Sequence, residues 1–353
     1  MELTGVPVPP RGRVAPAEPL RRLPQGAAAR VSVPATSANL GPGFDAFGLA
    51  LEVRDTVEAR ALAPGEGLVV RVEGEGAGRV PTDGRHLVVR VLRDELAAHG
   101  VEAPDLHLLC RNAVPHGRGL GSSASAIVAG LAAAHGLLAA AGEARGGAAE
   151  DAAVRERLLS EATRLEGHPD NAAPAVVGGF TIAWTRGDDP AHPQAVRTVR
   201  LDVHEDVRAL VCVPDEELAT SRARALLPAT VPHADAALTA GRAGLLVHAL
   251  TRDPSLLLDA TEERLHQAQR APAMPATADL LARLRGAGLP AVVSGAGPSA
   301  LVLAPADRAA EVSALAGASG GWRVRECAVA AGGVTWEVLR DVGDLRDPGT
   351  AVR

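Results

Sequence analysis

The stretch Pro115-His116-Gly117-Arg118-Gly119-Leu120-Gly121-Ser122-Ser123-Ala124-Ser125 decides how the rest of this chain is interpreted. Three glycines stand at every second position, and glycine adopts backbone conformations that residues with a Cβ avoid. The run 106–110 before it reads as a buried strand, and the small, apolar run 124–141 behind it is typical of a buried helix. A glycine loop between a strand and a helix start presents N–H groups and a positive dipole end to an anion. The pattern predicts a phosphate-binding loop, with Ser122 or Ser123 as the helix N-cap.

A simpler interpretation stays open on the pattern alone, namely a glycine-rich turn that caps a core helix. Two known phosphate loops are excluded. The chain contains no lysine, so a Walker A ending is impossible, and the even spacing of Gly117, Gly119 and Gly121 does not fit G-x-G-x-x-G.

The sequence Pro-x-x-x-Gly-Leu-Gly-Ser-Ser from Pro115 to Ser123 resembles the ATP loop of the GHMP kinases, the family of galactokinase, homoserine kinase, mevalonate kinase and phosphomevalonate kinase. In that family the loop wraps the phosphates of ATP, and a serine at its end helps to hold Mg²⁺. The resemblance implies that residues 115–125 bind ATP and that Ser122 is a metal-binding and catalytic residue.

A second segment, Pro34-Ala35-Thr36-Ser37-Ala38-Asn39-Leu40-Gly41-Pro42-Gly43-Phe44-Asp45, resembles the first motif of the family in its homoserine-kinase form. The resemblance implies that Asn39 and Asp45 bind the amino-acid substrate, and a carboxylate at Asp45 would suit an ammonium group. On the residues alone, both side chains could equally bond the local backbone of a tight loop.

The segment Glu166-Gly167-His168-Pro169-Asp170-Asn171 ends a predicted amphipathic helix over 150–166. Its spacing defines no zinc site, but Mg²⁺ needs only one or two carboxylates besides phosphate and water oxygens. Compared with the family, Glu166 is the expected metal-binding residue, with Glu161 as the rival, and His168 and Asp170 are expected to bind the substrate. A catalytic Asp base of other family members corresponds here to Asp170 or Asn171; if it is Asn171, catalysis depends on positioning and Mg²⁺.

The C-terminal half contributes further residues to the predicted site. By resemblance, Thr220 lies near the reaction centre, Arg224 and Arg270 form a clamp for the substrate carboxylate, and the third family motif, Ser294-Gly295-Ala296-Gly297-Pro298-Ser299, brings Gly295 to the substrate. Two guanidinium groups suit a carboxylate because they form fork-shaped, charge-assisted bonds. Without the resemblance, a lone arginine such as Arg224 is usually a solvated charge.

Composition sets the broad class. The chain of 353 residues is 47% hydrophobic with a net charge of −6, which is long enough for two domains and gives no indication of nucleic acid. Three scattered cysteines, Cys110, Cys212 and Cys327, fit reduced thiols in the cytoplasm. No uninterrupted apolar run is long enough to predict a membrane span.

The resemblance of the three motifs implies an α+β protein of the GHMP kinase fold. We expect a disordered extension over 1–29, a ribosomal-protein-S5-like N-terminal domain with the ATP loop over 30–187, and a ferredoxin-like C-terminal domain over 195–340, joined by a linker at 186–194. Further local predictions are antiparallel strands between residues 49 and 80, one helix from Ser255 to Arg270, and closing strands at 324–329 and 334–339.

The activity implied by the resemblance is ATP-dependent phosphorylation of the L-homoserine hydroxyl to O-phospho-L-homoserine, a step of threonine biosynthesis, with Mg²⁺ as cofactor. A homodimer is a family expectation only. Two alternatives stay open at this point: another small-molecule kinase acting on a mevalonate- or shikimate-type alcohol, and a ligand sensor of the same fold that has lost catalysis.

Overall fold

A computed structural model describes residues 20–142, 148–185, 196–318 and 320–339. The strands in chain order are β1 Arg21–Arg22, β2 Ala28–Ala38, β3 Phe47–Ala61, β4 Leu68–Gly74, β5 Val101–Glu102, β6 Leu106–Asn112, β7 Phe180–Thr185, β8 Val196–Leu201, β9 Arg208–Pro214, β10 Ala291–Val293, β11 Ala300–Ala304, β12 Trp322–Cys327 and β13 Thr335–Val338. The α-helices are α1 Leu87–Ala98, α2 Ser122–Ala140, α3 Ala148–Glu166, α4 Pro169–Val177, α5 Thr220–Arg224, α6 His233–Thr251, α7 Leu257–Ala260, α8 Gln267–Arg270, α9 Pro275–Gly286 and α10 Ala309–Gly317. Short 3₁₀ turns cover Pro254–Leu256, Ala271–Ala273 and Ala306–Arg308.

A seven-stranded mixed sheet forms the first layer, in the order β13-β2-β3-β6-β4, with β7 and β8 added beside β3. The 15-residue β3 makes this possible, because Phe47–Leu49 pairs with β7 while Thr56–Ala61 pairs with β6. Helices α1 to α4 cover one face, and their apolar side chains form the first core with those of β2, β3 and β6. The central α2 is built almost wholly of small and apolar residues because it is enclosed by this core.

By length and hydropathy alone, α2 is apolar enough to cross a membrane, but 72% of its most apolar window is buried inside the protein. Its composition is therefore explained by its place in the core, as the buried helices of ordinary folded domains show.

The second layer is a four-stranded antiparallel sheet in the order β10-β11-β9-β12. With α9 and α10 it gives the βαββαβ arrangement of a ferredoxin-like domain. Leu210, Leu280 and Val302 belong to the core between this sheet and the two helices. The opposite face contributes Val211 to a core that also contains Leu51 of β3, so the two layers share apolar side chains.

The predicted domain limits need two corrections. Residues 20–29 lie in the extension predicted to be disordered, yet Arg21–Arg22 pairs in parallel with Val101–Glu102, and Leu23 and Ala27 are buried. The second boundary is also wrong, because β8 pairs with β7 and β13 pairs with β2, so both belong to the first sheet. The predicted linker at 186–194 lies outside the described residues.

Two local predictions are wrong as well. β3 and β4 are not neighbours, because β6 lies between them and pairs with β4 in parallel. The single helix predicted from Ser255 to Arg270 is broken after α7. There the Glu263 carboxylate accepts hydrogen bonds from the N–H groups of Leu265, His266 and Gln267, which gives the chain an alternative to helical bonding. This break turns His266 and Arg270 into the protein interior, where both are buried.

Candidate active site

The backbone of the glycine loop has the alternating conformation of an anion-binding concavity. Gly117, Gly119 and Gly121 have φ angles of 66°, 72° and 69°, in the left-handed region. The residues between these glycines do not have positive φ, and turns with such an alternation form concavities lined by backbone N–H groups. The loop therefore offers N–H donors where α2 begins.

The carbonyl groups of the loop are engaged by the surrounding protein. Gly117 O accepts from Leu218 N at 2.9 Å, Gly119 O from Ser294 Oγ at 2.7 Å, and Leu120 O accepts from Thr36 N at 3.1 Å. Since these three carbonyl oxygens have partners elsewhere, they do not compete with a phosphate for the concave side.

Two of the glycines are required by close neighbours from the other motifs. A Cβ on Gly119 would lie 2.2 Å from the Ser294 carbonyl oxygen, and a Cβ on Gly121 would lie 1.9 Å from Thr36 Oγ1. Thr36 belongs to the first motif and Ser294 to the third. The three motifs identified in the sequence therefore meet at this loop.

The serines behind the loop differ from the predicted arrangement. The N-cap of α2 is Gly121, and no side chain caps the helix, so neither Ser122 nor Ser123 is the N-cap. Ser123 Oγ donates to Glu166 Oε2 at 2.9 Å, whereas Ser122 is half-buried in the first helical turn. Ser125 Oγ donates to the Pro34 carbonyl at 3.0 Å and is fully buried, so its side chain faces β2 and not the loop.

The other loop side chains predicted to bind ATP are committed to packing. Arg118 donates to the carbonyl groups of Pro214 and Asp215 at 2.9 and 2.7 Å and contacts Glu217 at 3.2 Å, which ties the loop to the second layer. Its guanidinium group is therefore used within the protein. His116 lies against Gly76, where a Cβ would come within 2.5 Å of its ring, and Leu120 and Ala124 are buried. Pro115 is half-buried.

The two candidate metal-binding carboxylates on α3, Glu161 and Glu166, have different hydrogen-bond partners. Glu161 is paired with Arg164 at 3.0 Å on the same helix, while Glu166 lies at the helix end against Ser123. Burial raises the pKa of Glu166, and the neighbouring His168 charge opposes that rise. A half-buried carboxylate beside a hydroxyl at the mouth of the loop is a suitable donor pair for Mg²⁺. Among the described residues there is no cluster of three or more His, Cys, Asp or Glu that could hold a metal without phosphate oxygens.

His168 and Asp170 form a tight pair, with His168 Nδ1 2.6 Å from Asp170 Oδ1. Burial alone would lower the pKa of His168, but the hydrogen bond and charge of Asp170 outweigh it and raise the pKa. Asn171 accepts a hydrogen bond from Thr36 Oγ1 at 2.8 Å, and its Oδ1 would lie 3.0 Å from a Cβ on Gly121. The side chain that lies against Gly121 next to Thr36 is therefore an amide.

The predicted carboxylate clamp is brought together around Phe44. The guanidinium carbons of Arg224 and Arg270 lie 5.7 and 5.4 Å from the centre of the Phe44 ring. Arg224 makes a two-pronged ion pair with Asp45 at 2.6 and 3.0 Å, and both side chains are about a third exposed. Thr220 is exposed at the start of α5, one turn before Arg224, on the same side of this short helix.

Arg270 is a buried cation held by few groups. It is 1% exposed, its Nη1 donates to Gly295 O at 3.2 Å, and its Nε has no hydrogen-bond partner among the described residues. Burial lowers its pKa, as does the charge of Arg224. His266 Nε2 lies 2.8 Å from Gly41 O, and its Nδ1 lies 3.3 Å from Arg270 Nη1. This geometry fits a neutral ring that donates to Gly41 and accepts from Arg270.

Gly295 connects the arginine cluster to the glycine loop. Its carbonyl oxygen accepts from Asn39 Nδ2 at 2.8 Å as well as from Arg270, and a Cβ on Gly295 would lie 3.1 Å from Gly119 O. Asn39 Oδ1 accepts in turn from Asp45 N at 2.9 Å, and both Asn39 and Asp45 have positive φ. Asn39 thus bonds local backbone, as one alternative interpretation expected, and at the same time joins two motifs.

Three residues that shape the site were not identified in advance as site residues. Thr36 and Phe44 lie within the first motif and His266 precedes Arg270 in the sequence Leu-His-x-x-x-Arg, so the motifs contained them. Nothing in the local pattern indicates that Phe44 lies beneath two arginines or that His266 bonds Gly41.

Comparison with known proteins agrees with this geometry. The family model described as GHMP kinases N terminal domain matches residues 86–179, and that described as GHMP kinases C terminal matches residues 237–318. The homoserine kinase of Streptomyces coelicolor is 51% identical over 293 residues, covering 83% of this chain and 90% of the relative. The chain belongs to the GHMP kinase family.

Further known proteins match this chain over most of its length. The homoserine kinase of Rhodococcus erythropolis is 49% identical over 315 residues, covering 88% of this chain and 96% of the relative. The crystal structure of homoserine kinase from Cytophaga hutchinsonii matches with a TM-score of 0.73 at 27% identity, covering 88% of this chain and 97% of that chain. Mevalonate diphosphate decarboxylase from Staphylococcus aureus, with a TM-score of 0.60 at 15% identity, shares the fold. The predicted family and fold class are confirmed.

Proposed function

We propose that this protein is a homoserine kinase, which transfers the terminal phosphoryl group of ATP to the side-chain hydroxyl of L-homoserine. The observation that carries the proposal is the position of Gly295, which touches the glycine loop on one side and binds Arg270 on the other. The glycine loop and a pair of arginines are thereby held next to each other. The relatives that are 46–51% identical over most of the chain are homoserine kinases, which supports the same substrate.

The groups around Phe44 are suited to an α-amino acid. Arg224 and Arg270 supply guanidinium groups for the carboxylate, and Asp45 supplies a carboxylate for the ammonium group. Because Asp45 and Arg224 are paired with each other, we infer that a bound zwitterion exchanges partners with both. Asn39 supports this arrangement by fixing the backbone at Asp45.

On the nucleotide side, we assign the triphosphate to the N–H groups of residues 115–125, and Mg²⁺ to Glu166 with Ser123. This revises the predicted choice of Ser122, because only Ser123 of the two is bonded to Glu166 in the structure. When bound, the cation neutralises phosphate charge and helps to align the group that is transferred.

Catalysis by positioning fits the residues near the loop. Asn171 cannot act as a strong base, and Asp170 is bonded to His168. Orientation can contribute about 7–11 kcal/mol of barrier lowering. A positioned base typically adds about 10²–10⁴-fold, so its absence is tolerable for phosphoryl transfer. His168 and Asp170 are assigned to orienting the substrate.

The experiment is an ADP-release assay with Mg²⁺ and ATP against a panel of acceptors. L-homoserine should be phosphorylated, whereas mevalonate and shikimate should be inert. 4-Hydroxybutyrate, which has the hydroxyl and carboxylate but no ammonium group, should be a poor acceptor because it leaves Asp45 unpaired. Turnover of mevalonate with homoserine inert would contradict the proposal, and ligand binding without ADP release would favour a sensor.

A further inference from the structure

Asp55 lies at the point where the chain leaves the first sheet for the glycine loop. The ladder between β3 and β6 runs from Ala61 opposite Leu106 to Thr56 opposite Arg111, and Asp55 is the next residue of β3. Its Oδ1 accepts hydrogen bonds from Ala113 N at 2.7 Å and Val114 N at 2.9 Å. A side chain therefore takes over from the backbone ladder directly before Pro115.

The bond to Val114 lies in the protein interior, whereas the bond to Ala113, an exposed residue, is partly buried. Asp55 is 6% exposed and Val114 is fully buried, so water cannot readily replace the carboxylate as the acceptor for Val114 N. Buried N–H groups require a partner, and a chain that loses one shifts until the group is satisfied. Because Pro115 directly follows Val114, any such shift at Ala113 and Val114 also moves the first residues of the glycine loop.

The residues directly before the loop, Ala113 and Val114, are held by a different contact than the loop itself. Gly117, Gly119 and Leu120 are held through their carbonyl groups by Leu218, Ser294 and Thr36. Directly before the loop, Asp55 of β3 accepts hydrogen bonds from the N–H groups of Ala113 and Val114. The loop is thereby anchored at its root by β3 and along its length by the other motifs.

The electrostatic surroundings of the Asp55 carboxyl group favour a structural role as a hydrogen-bond acceptor for the backbone. Burial raises the pKa of Asp55 to about 6, the two backbone hydrogen bonds oppose the rise, and the Glu75 carboxylate adds to it. Cys110 also faces it, with a thiol pKa raised to about 12 mainly by burial. Within the described part of the chain no cationic side chain stabilises the charge of Asp55, so the two N–H groups are its main favourable contacts.

We propose that Asp55 is a positioning residue for ATP binding, which fixes the root of the glycine loop through the N–H groups of Ala113 and Val114. The inference rests on the proposed use of this loop for the triphosphate. It assigns no contact between Asp55 and the ligand. Its effect is on affinity for the nucleotide, through the conformation in which the loop meets the phosphates.

The test compares Asp55→Ala, which removes the acceptor, with Asp55→Asn, which retains Oδ1 without the charge. The KM values for ATP and homoserine are measured, together with direct binding of a non-hydrolysable ATP analogue by calorimetry. In Asp55→Ala we expect the KM for ATP and the analogue Kd to rise at least tenfold, with the KM for homoserine within twofold. Asp55→Asn should restore both nucleotide values to within about threefold of the wild type.

Glu58→Ala is the matched control, since Glu58 is buried on the same strand but is paired with the side chains of Arg30 and Arg111 and not with the N–H groups of Ala113 and Val114. It should lower stability without changing the nucleotide KM. Should Asp55→Ala not fold, Asp55→Ser, whose hydroxyl is too short to reach both N–H groups, should give the same nucleotide effect.

Three results would overturn the proposal: unchanged nucleotide affinity in a folded Asp55→Ala or Asp55→Ser, equal increases for ATP and homoserine, or a nucleotide effect of the same size in Glu58→Ala. An inert wild type with homoserine would contradict the proposed function instead, whereas the analogue affinity bears on Asp55 alone.

Discussion

Gly121 offers the sharpest test of how the loop meets the first motif. Replacing it with alanine adds one methyl group at a position with a φ of 69°, 1.9 Å from Thr36 Oγ1 and 3.0 Å from Asn171 Oδ1. The substitution changes neither charge nor any atom that we assign to ligand binding. Its effect should come entirely from strain and displacement.

The magnitude follows from two contributions. A left-handed conformation costs a residue with a Cβ about 1–2 kcal/mol. Thr36 must also move by more than 1 Å to reach ordinary contact, which breaks its buried 2.8 Å hydrogen bond to Asn171 and costs roughly 0.5–1.5 kcal/mol. If about 2 kcal/mol of the sum falls on the ATP-bound geometry, kcat/KM for ATP falls by roughly 30-fold.

The assay is steady-state ADP release with varied ATP at saturating homoserine, paired with thermal unfolding. Gly100→Ala is the control, since Gly100 has a φ of 72° but a Cβ there meets nothing within 4 Å. It should lose a similar amount of stability from strain while retaining kcat/KM for ATP within twofold. The reasoning is refuted if Gly121→Ala keeps kcat/KM within threefold of the wild type, or if both variants lose activity equally.

Ser123→Ala should weaken the apparent affinity for Mg²⁺ about tenfold, because Ser123 is bonded to Glu166. Ser122→Ala should change this affinity less than threefold. Titration of activity with magnesium compares the two variants, and the reverse ranking would contradict the assignment. Arg270→Ala should raise the KM for homoserine by more than about tenfold, since a charge-assisted hydrogen bond contributes about 1.5–3 kcal/mol. The KM for ATP should stay within threefold of the wild-type value. Equal increases of the two KM values would argue against separate roles for the two parts of the site. The carboxyl of Asp55 titrates at about 6 instead of 3.8, so its contribution to stability is fully present below pH 3.8 and is lost as the pH rises through 6, by about 3 kcal/mol. In urea unfolding, Asp55→Asn should therefore gain stability relative to the wild type between pH 4 and pH 7.5, and a constant difference would show that this group does not titrate as described.

The features that could be predicted from the sequence are those set by local pattern. The strand over 106–110, the helix behind the glycine loop and the helix from Leu87 were all placed within a few residues, because apolar spacing and glycine ends are local signals. The three motifs also identified the neighbourhoods of the site, and Arg224 and Arg270 do lie on the same aromatic ring.

The features that were missed depend on tertiary contacts. Because β3 and β4 follow each other in the sequence, the sequence favours a hairpin between them. It does not indicate that β4 pairs in parallel with β6. Arg118 lies in a loop that suggests a phosphate ligand, but the carbonyl groups that engage it come from Pro214 and Asp215, nearly a hundred residues away. The helix break before His266 depends on a carboxylate that could equally have faced solvent.

Asp55 illustrates the same limit in the strand itself. An acidic residue in an alternating strand usually indicates the solvent-facing side, and here it lies in the interior. Only the position at which β6 turns away into the loop gives the residue its two partners.

The pairing of β13 with β2 has a consequence for how this polypeptide matures. Thr335–Val338 supplies one edge of a sheet whose neighbouring strand begins at Ala28, so about three hundred residues must leave the ribosome before that edge can be occupied. Domains form as units during synthesis, starting from the amino terminus. The nascent chain therefore carries an open sheet border through most of translation, and premature termination anywhere before residue 335 leaves that border exposed to pairing with other chains.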